Sequence, residues 1–278
     1  MQNLNRLARY QLRRQTGTIP ALLPPTVQNS PMKLDDVKKL HQKKYRTQFG
    51  YYLVEGEHLI LELLKAHSSA EEQQAITLYV TEQFEQWAHD LASAFTISVV
   101  TQKQMSQLSD TKTPQGLIAC VPLPSKQTVK PLAAGERCIY LHEVQDPGNL
   151  GTILRTLAWF GNFRLLLSPK SVDPFNSKVV RASMGAIFHT PVELDVTLES
   201  LSERFKQFAY LDLNGEAINS PSFGNFECYL FGNEARGVPT EALQTFNAVP
   251  FTIAGSGKID SLNLASAVGI SVYQLALG

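Results

Sequence analysis

The sequence lacks long apolar runs and has few cysteines. No stretch approaches the roughly 20 apolar residues that cross a bilayer, and the first thirty residues hold no continuous apolar stretch of the signal-peptide kind. The three cysteines, Cys120, Cys138 and Cys228, are scattered and without metal-ligand spacing. We therefore expect a soluble cytoplasmic protein with buried free thiols, no membrane segment and no metal.

The sequence also lacks the glycine loops that bind nucleotide phosphates. "GSGK" at residues 255–258 resembles a phosphate loop, but Thr252 stands where the first glycine is needed and Ile259 replaces the Ser or Thr. No G-x-G-x-x-G motif follows the first strand of the second half. These absences exclude a P-loop enzyme and argue against a nucleotide-dependent dehydrogenase.

A net charge of zero conceals a basic amino-terminal end. The first fifty residues hold ten Lys or Arg against only Asp35 and Asp36. This asymmetry suits contact with a polyanion, although a solvated basic tail has the same composition. Residues 1–31 read as an arm, which fits extra phosphate contacts, an organellar transit peptide or a leader without a specific role. Its basic residues are Arg6, Arg9, Arg13 and Arg14.

Strand and helix patterns alternate over the remainder of the chain. Residues 32–123 predict a small α/β domain, with a strand near Tyr51–Val54 and a helix from Gly56. The polar segment 124–136 reads as a linker. Residues 137–278 predict a mostly parallel α/β sheet covered by helices, with "SKVVRASMGAIF" as one helix.

Three predicted strand ends in the second domain have unusual chemistry, and ligands gather at such ends. In "DPGNLGTILR", residues 146–155, two glycines permit close approach, Asn149 is a plausible helix N-cap, and Arg155 lies nearly two turns further. Taken alone, this loop is equally well explained as a capped helix with a surface arginine.

The other two strand ends carry glycine and small residues. "LFGNEARGVP", residues 230–239, places Glu234 between Gly232 and Gly237, as an ordinary turn also can. "GSGKIDSLNLASAVGISVYQL" begins the last helix, which Ser261 or Asp260 is expected to cap. Small side chains there would let another backbone pack closely.

These three segments together closely resemble the motifs of the SpoU (TrmH-like) class of SPOUT RNA methyltransferases. "FNSKVVRASMGAIFHTPV" is similar to the segment between the first two motifs. "YYLVEGEHLILELL" and "LSDTKTPQGLIACV" resemble the ends of the L30e-like substrate-binding domain of ribose methyltransferases. The resemblance implies an L30e-like domain followed by a trefoil-knotted, mostly parallel α/β catalytic domain.

The resemblance also implies a reaction: transfer of a methyl group from S-adenosylmethionine to a ribose 2′-hydroxyl, without a metal. The motif positions assign the catalytic set to Asn149, Arg155, Glu234, Ser261 and Asn263. Because arginine stays protonated, we interpret Arg155 as a clamp on a phosphate or developing charge; a role in proton removal stays open. The positions implied for cofactor binding are Gly232, Ile253, Leu262, Phe231, Asn233, Gly237 and Asn263.

Members of this class work on RNA and usually as homodimers. The resemblance implies pairing near the knot and the terminal helix, and the implied RNA contacts are Arg181, Ser183, Lys43, Lys44 and Arg46. The two-domain layout favours large-subunit (23S) rRNA; a tRNA ribose methyltransferase and a non-catalytic RNA-binding or ribosome-assembly factor are the alternatives. Ala254 departs from the usual pattern, since many members have proline there.

Overall fold

The computed structural model describes residues 32–91, 94–124 and 131–277. The predicted arm at residues 1–31 and residues 125–130 of the predicted linker lie outside these ranges. No helix in the described ranges is long and apolar enough to cross a membrane.

The first part of the described chain forms a four-stranded sheet with helices around it. Its strands are β1 Tyr51–Glu55, β2 Thr77–Val80, β3 Thr96–Val99 and β4 Leu117–Pro122. Their order is β1-β4-β2-β3; β4 is antiparallel to β1 and β2, and β2 is parallel to β3. The helices are α1 Leu34–Lys39, α2 Lys43–Phe49, α3 Glu57–Ala66, α4 Ala70–Gln74, α5 Glu82–Asp90 and α6 Gln102–Leu108.

Two short helices, α1 and α2, precede β1, where the sequence pattern indicates one continuous helix. α1 ends at Lys39, and α2 stops at Gly50, whose φ of 76° is the left-handed conformation that glycine allows after a helix. The turn at Gly50 leads the chain directly into β1. The predicted helix start at Gly56 is confirmed, because α3 begins at Glu57 with Gly56 as its N-cap residue.

The second part forms a six-stranded sheet in which all described pairings are parallel, as predicted. The strand order is β10-β8-β9-β5-β6-β7. The strands are β5 Arg137–Leu141, β6 Phe163–Leu167, β7 Val192–Glu193, β8 Phe208–Ala217, β9 Cys228–Phe231 and β10 Ala248–Thr252. The helices are α7 Pro147–Phe160, α8 Ser177–Ser183, α9 Leu198–Arg204, α10 Thr240–Leu243 and α11 Leu264–Leu277.

The predicted single helix over residues 177–188 is broken. α8 ends at Ser183, Met184 and Gly185 take positive φ angles of 51° and 92°, and a 3-10 turn follows at Ala186–Phe188. At Gly185 a side chain would lie 2.7 Å from Cβ of Glu62 in α3. The break therefore lies where the second part of the chain meets the first.

A segment of the second part packs against the first sheet. The Arg46 guanidinium donates from Nη2 and Nε to Asp173 Oδ2 at 2.5 and 3.0 Å. The Phe175 ring lies 4.9 Å from the Tyr52 ring, and Val180 is part of the hydrophobic core beneath the first sheet. The segment 173–189 thus joins the two parts through an ion pair and an apolar contact.

All three cysteines are buried free thiols, as the sequence predicts. Cys120 lies in the first sheet. Cys138 and Cys228 lie opposite each other in the register of β5 and β9. Burial raises the pKa of Cys120 and of Cys138 to about 12, so these thiols are inert packing groups.

Candidate active site

The three unusual loops meet at one edge of the second sheet, where β5, β9 and β10 end. The first loop leads into α7, and here the predicted cap is wrong: Asp146, not Asn149, is the N-cap residue. The Asp146 carboxylate accepts from the Asn149 backbone N–H at 2.7 Å, and Pro147 occupies the first helical position. This arrangement frees the Asn149 side chain for contacts outside its helix.

The Asn149 amide connects all three loops. Its Nδ2 donates to Glu234 Oε1 at 3.3 Å, and its Oδ1 accepts from Asn263 Nδ2 at 2.9 Å. One side chain thus joins Asn149 to Glu234, 85 positions further along the chain, and to Asn263, 114 positions further. Asn149, Glu234 and Asn263 were selected from separate motifs, and the structure brings them together.

The Glu234 carboxylate also organises the start of the first loop. It accepts from the backbone N–H groups of Gln145 and Asp146, each at 3.2 Å, in addition to the Asn149 amide. Three donors on one carboxylate fix the loop between β5 and α7. Glu234 therefore acts on the position of Asn149.

Asn263, rather than Ser261 or Asp260, caps the terminal helix. Its Oδ1 accepts from the backbone N–H groups of Ala265 and Ser266 at 2.9 and 3.3 Å. The same side chain uses its Nδ2 on Asn149, so it needs both an acceptor and a donor. Ser261 is exposed two residues before the cap.

Arg155 lies on an exposed turn of α7, while its neighbours Ile153, Leu154 and Leu157 are buried. Within the described ranges no side chain pairs with its guanidinium. The Arg155 charge is therefore available to a bound molecule, six residues further along α7 than Asn149.

The loop after β9 requires glycine at Gly232. A side chain there would lie 2.2 Å from the Gly237 carbonyl carbon and 2.5 Å from the Val238 nitrogen. Asn233 closes the loop: its backbone N–H and carbonyl pair with Gly237, each at 2.9 Å. Its side chain binds the N–H groups of Ala235 and Arg236 and the Glu143 carbonyl. Asn233 thus shapes the loop, and its buried side chain faces loop backbone.

The remaining positions assigned to the cofactor differ in access. Phe231 is buried at the end of β9, so its ring belongs to the core and its carbonyl accepts from the His142 backbone N–H. Ile253 is half-buried after β10, and Leu262 is an exposed apolar residue close to Asn263. Apolar side chains and bare backbone therefore line the loops after β9 and β10.

Two of the predicted RNA contacts are revised by the structure. The Ser183 hydroxyl is fully buried and donates to the Val180 carbonyl. Arg46 is also buried: besides the pair with Asp173, its Nη1 donates to the Leu40 and His41 carbonyls. The local sequence does not predict the burial of Arg46, because its partner Asp173 lies 127 positions away.

The other predicted RNA contacts remain accessible in part. Lys43 and Lys44 are exposed on α2, and the Lys44 ammonium lies 5.5 Å from the centre of the Tyr45 ring. Arg181 is partly exposed, with Nη2 3.4 Å from Asp110 Oδ2 across the seam between the two sheets. These three stay as predictions.

Sequence reasoning missed four residues beside the site: His142, Glu143, Lys170 and Arg236. His142 follows β5, and its ring stacks on Tyr140 with 6.4 Å between centres. Burial lowers the pKa of His142, and its Nδ1 is buried with no hydrogen-bond partner in the described ranges. Glu143 and Lys170 have positive φ angles, which a sequence does not reveal in residues other than glycine.

No group of three or more potential metal ligands occurs among the described residues.

Comparison with known proteins agrees with this geometry. The sequence model of the SpoU rRNA Methylase family matches residues 136–273, and that of the MRM3-like substrate binding domain matches residues 32–119. The 23S rRNA (guanosine(2553)-2′-O)-methyltransferase RlmP of Bacillus subtilis is 31% identical over 87% of this chain and 95% of its own. The mitochondrial rRNA methyltransferase 3A of Danio rerio is 34% identical over 58% of this chain and 38% of its own.

Solved structures show the same fold over both parts of the chain. An AdoMet-bound rRNA methyltransferase from Sinorhizobium meliloti has a TM-score of 0.71 at 28% identity, covering 90% of this chain and 96% of its own. The SpoU methyltransferase AviRb from Streptomyces viridochromogenes has a TM-score of 0.75 at 20% identity, covering 88% and 96%, which supports the fold alone.

The fold and the joined loops define an S-adenosylmethionine-dependent RNA methyltransferase of the SPOUT type. The chain belongs to the SpoU rRNA methylase family, as its resemblance to the three motifs predicted.

Proposed function

We propose that this enzyme methylates a ribose 2′-hydroxyl in large-subunit rRNA, and that the three loops joined by Asn149 form its active site. The observation that carries the assignment is the double contact of one amide, to Glu234 and to Asn263. Such a link fixes a polar group at the carboxyl edge of the sheet, where positioning can supply most of the rate.

The cofactor fits the loops after β9 and β10. The loop closed at Gly232 and Gly237 carries no bulky side chain at these two positions, and half-buried Ile253 and exposed Leu262 offer apolar surface for a flat purine. The resemblance to the SpoU motifs supports a trefoil knot in this domain, and the close approach at Gly232 lets the loop after β9 fold back on itself at Gly237 and Val238. S-adenosylmethionine, when bound, supplies a sulfonium methyl group.

The polar residues then have separate tasks. Asn149 orients the substrate oxygen, while Glu234 and Asn263 hold its amide in place. Arg155 binds a phosphate or stabilises developing negative charge, because a guanidinium stays protonated and suits either group. Ser261, exposed two residues before Asn263, is a contact to the substrate or to a neighbouring loop.

Large-subunit rRNA is supported by the relatives, because RlmP is named for a 23S rRNA and covers nearly the whole chain. The substrate-binding-domain match over residues 32–119 supports the proposed division into an L30e-like domain at 32–123 and a catalytic domain at 137–278. Buried free thiols and an rRNA substrate support the cytoplasm as its compartment.

A homodimer is supported by an exposed apolar stripe on α7 and α11. Trp159 is 84% exposed, and Ile270, Tyr273 and Leu277 recur at helical spacing on one face of α11. The Tyr273 ring also lies 6.1 Å from the Phe160 ring, so this residue of the stripe connects α11 to α7. A second copy of the chain would cover these side chains.

Mapping of 2′-O-methyl marks in total RNA, with the gene present and absent, tests the substrate. We expect one mark in large-subunit rRNA to disappear with the gene. A lost mark in tRNA would select the tRNA alternative. Unchanged RNA, together with no S-adenosylmethionine binding by calorimetry, would select the non-catalytic alternative.

A further inference from the structure

A groove of about 420 Å³ lies beside the proposed active site. It is lined by residues of the loops after β5, β6 and β9: Glu143, Gln145, Lys170, Asn233, Ala235 and Arg236. It adjoins the site directly, since Arg236 is two residues after Glu234 and the Gln145 backbone N–H donates to Glu234.

One carboxylate holds two cations at the groove. Glu143 Oε2 accepts from Arg236 Nη2, and Glu143 Oε1 lies 3.7 Å from Lys170 Nζ. The Glu143 side chain is only 19% exposed, whereas those of Arg236 and Lys170 are 68% and 81% exposed. The cluster therefore has a partly buried negative centre and a positive rim that faces solvent.

The backbone beneath this cluster is held in an uncommon conformation. Glu143 and Lys170 have φ angles of 49° and 66°, in the left-handed region that residues other than glycine rarely adopt. The Glu143 carbonyl accepts from Asn233 Nδ2 at 2.7 Å and from Gln145 Nε2 at 2.9 Å. Gln145 Nε2 also donates to the Lys170 carbonyl at 2.8 Å, so one amide ties both loops. Such conformations persist where surrounding contacts enforce them, and they cluster at ligand sites.

Arg236 and Lys170 together with Glu143 carry a net charge of +1, which suits an anion, and the planar guanidinium of Arg236 matches phosphate oxygens. The anion carried by an RNA substrate is its phosphodiester backbone, and phosphate contacts give RNA-binding proteins register and affinity. We propose that Arg236 and Lys170 bind a phosphodiester of the RNA next to the target nucleotide. Glu143 is a positioning residue that keeps the two cations together. This inference rests on the proposed function, which makes RNA the substrate.

Salt dependence of RNA binding tests the proposal. The full chain and the variants Arg236→Ala and Lys170→Ala are titrated with transcribed large-subunit rRNA across a range of KCl concentrations. Each variant should bind the RNA about five- to tenfold more weakly and lower the slope of log affinity against log salt by ~0.7–0.9, the value for one phosphate contact. Arg236→Lys should retain the slope because it retains the charge.

Two controls keep the result specific. Lys206→Ala removes an exposed cation just before β8, at the opposite edge of the sheet, and should leave slope and affinity unchanged. S-adenosylmethionine binding, measured by calorimetry, should be equal in all variants. Equal RNA slopes in the parent and both alanine variants would overturn the proposal. So would weaker S-adenosylmethionine binding with unchanged RNA binding, which would place the cofactor's carboxylate in the groove.

Failure of the proposed function has a different signature. In that case the parent protein itself binds no S-adenosylmethionine or transfers no methyl group to RNA. If the parent transfers the methyl group and the RNA slopes do not change, the groove alone is reassigned.

Discussion

Gly151 of α7 touches Ala182 of α8 so closely that a side chain on Gly151 would lie 2.3 Å from the Ala182 Cβ. It would also lie 2.8 Å from the Ala182 carbonyl carbon, so backbone as well as side chain would have to move. α8 is thereby fixed against the helix that carries Asn149 and Arg155. We expect Gly151→Ala to lower the free energy of unfolding by about 1–3 kcal/mol through overpacking, as measured by urea unfolding.

Gly269→Ala is the matched control for this prediction. Gly269 also lies in a helix, α11, but an added side chain meets nothing within 4 Å. Alanine is the better helix former by about 0.5–1 kcal/mol, so this variant should be as stable as the parent or slightly more stable. Equal stability of the two variants would contradict the close contact at Gly151.

The buried pair of Arg46 and Asp173 should stabilise the contact between the two sheets. Arg46→Ala leaves the Asp173 carboxylate without its buried partner, which typically costs about 3–5 kcal/mol. Hydrogen exchange should show faster exchange in α2 and in residues 173–189. Lys39→Ala removes a cation of the same basic run that is paired with Asp36 in solvent, and exchange there should not change.

The two tasks of Asn263 can be separated by substitution. Asn263→Ser retains an acceptor for the α11 N-cap but cannot reach Asn149, so stability should be nearly unchanged while the methyl-transfer rate falls. Asn263→Ala loses both the cap and the link, and should also unfold about 1 kcal/mol more easily. Single-turnover methylation and thermal unfolding measure the two effects. Full activity in the serine variant would show that the link to Asn149 is dispensable.

Arg155→Ala should abolish transfer while S-adenosylmethionine binds with nearly unchanged affinity. The guanidinium has no partner in the described part of the chain, so its removal disturbs no internal contact. Arg155→Lys retains a charge without the planar fork and should recover only part of the rate. Equal methylation rates in Arg155→Ala and the parent would remove Arg155 from the mechanism.

We predict that mild acid lowers the free energy of unfolding because of His142. Burial lowers its pKa below the usual value of 6.5, so the unfolded chain takes up a proton before the folded protein does. Stability should therefore fall as the pH drops below about 6.5. Burial lowers the pKa of His189 as well, which adds to the same trend. His142→Gln should flatten part of this dependence, measured as urea midpoints between pH 5 and 7.5. An identical pH profile in the variant would assign the acid loss elsewhere.

The sequence predicted the α/β class of both parts of the chain and the parallel second sheet, because alternation and buried apolar runs are local signals. It also selected Asn149, Glu234 and Asn263, which the structure brings within hydrogen-bond distance. Helix starts were less predictable, because several neighbouring polar residues can act as the cap: Asp146 caps α7 instead of Asn149, and Asn263 caps α11 instead of Ser261 or Asp260.

Long-range pairing explains the remaining differences. Arg46 reads as an exposed cation until Asp173 packs against it, and Ser183 reads as exposed until α8 is placed between α7 and the first sheet. The groove at Glu143, Lys170 and Arg236 depends on backbone angles at two residues that carry no glycine signal. Such features arise only when distant loops meet.

The two tryptophans of this chain give it built-in fluorescent reporters. Trp87 packs on the core of the first sheet and meets the Phe84 ring edge-on at 6.3 Å, while Trp159 stands in water on α7. Emission from Trp159 should shift to the blue when a second chain covers it, whereas Trp87 responds to melting of the first sheet. In the Trp87→Phe variant, Trp159 emission measured over a dilution series reports self-association directly, without an attached label.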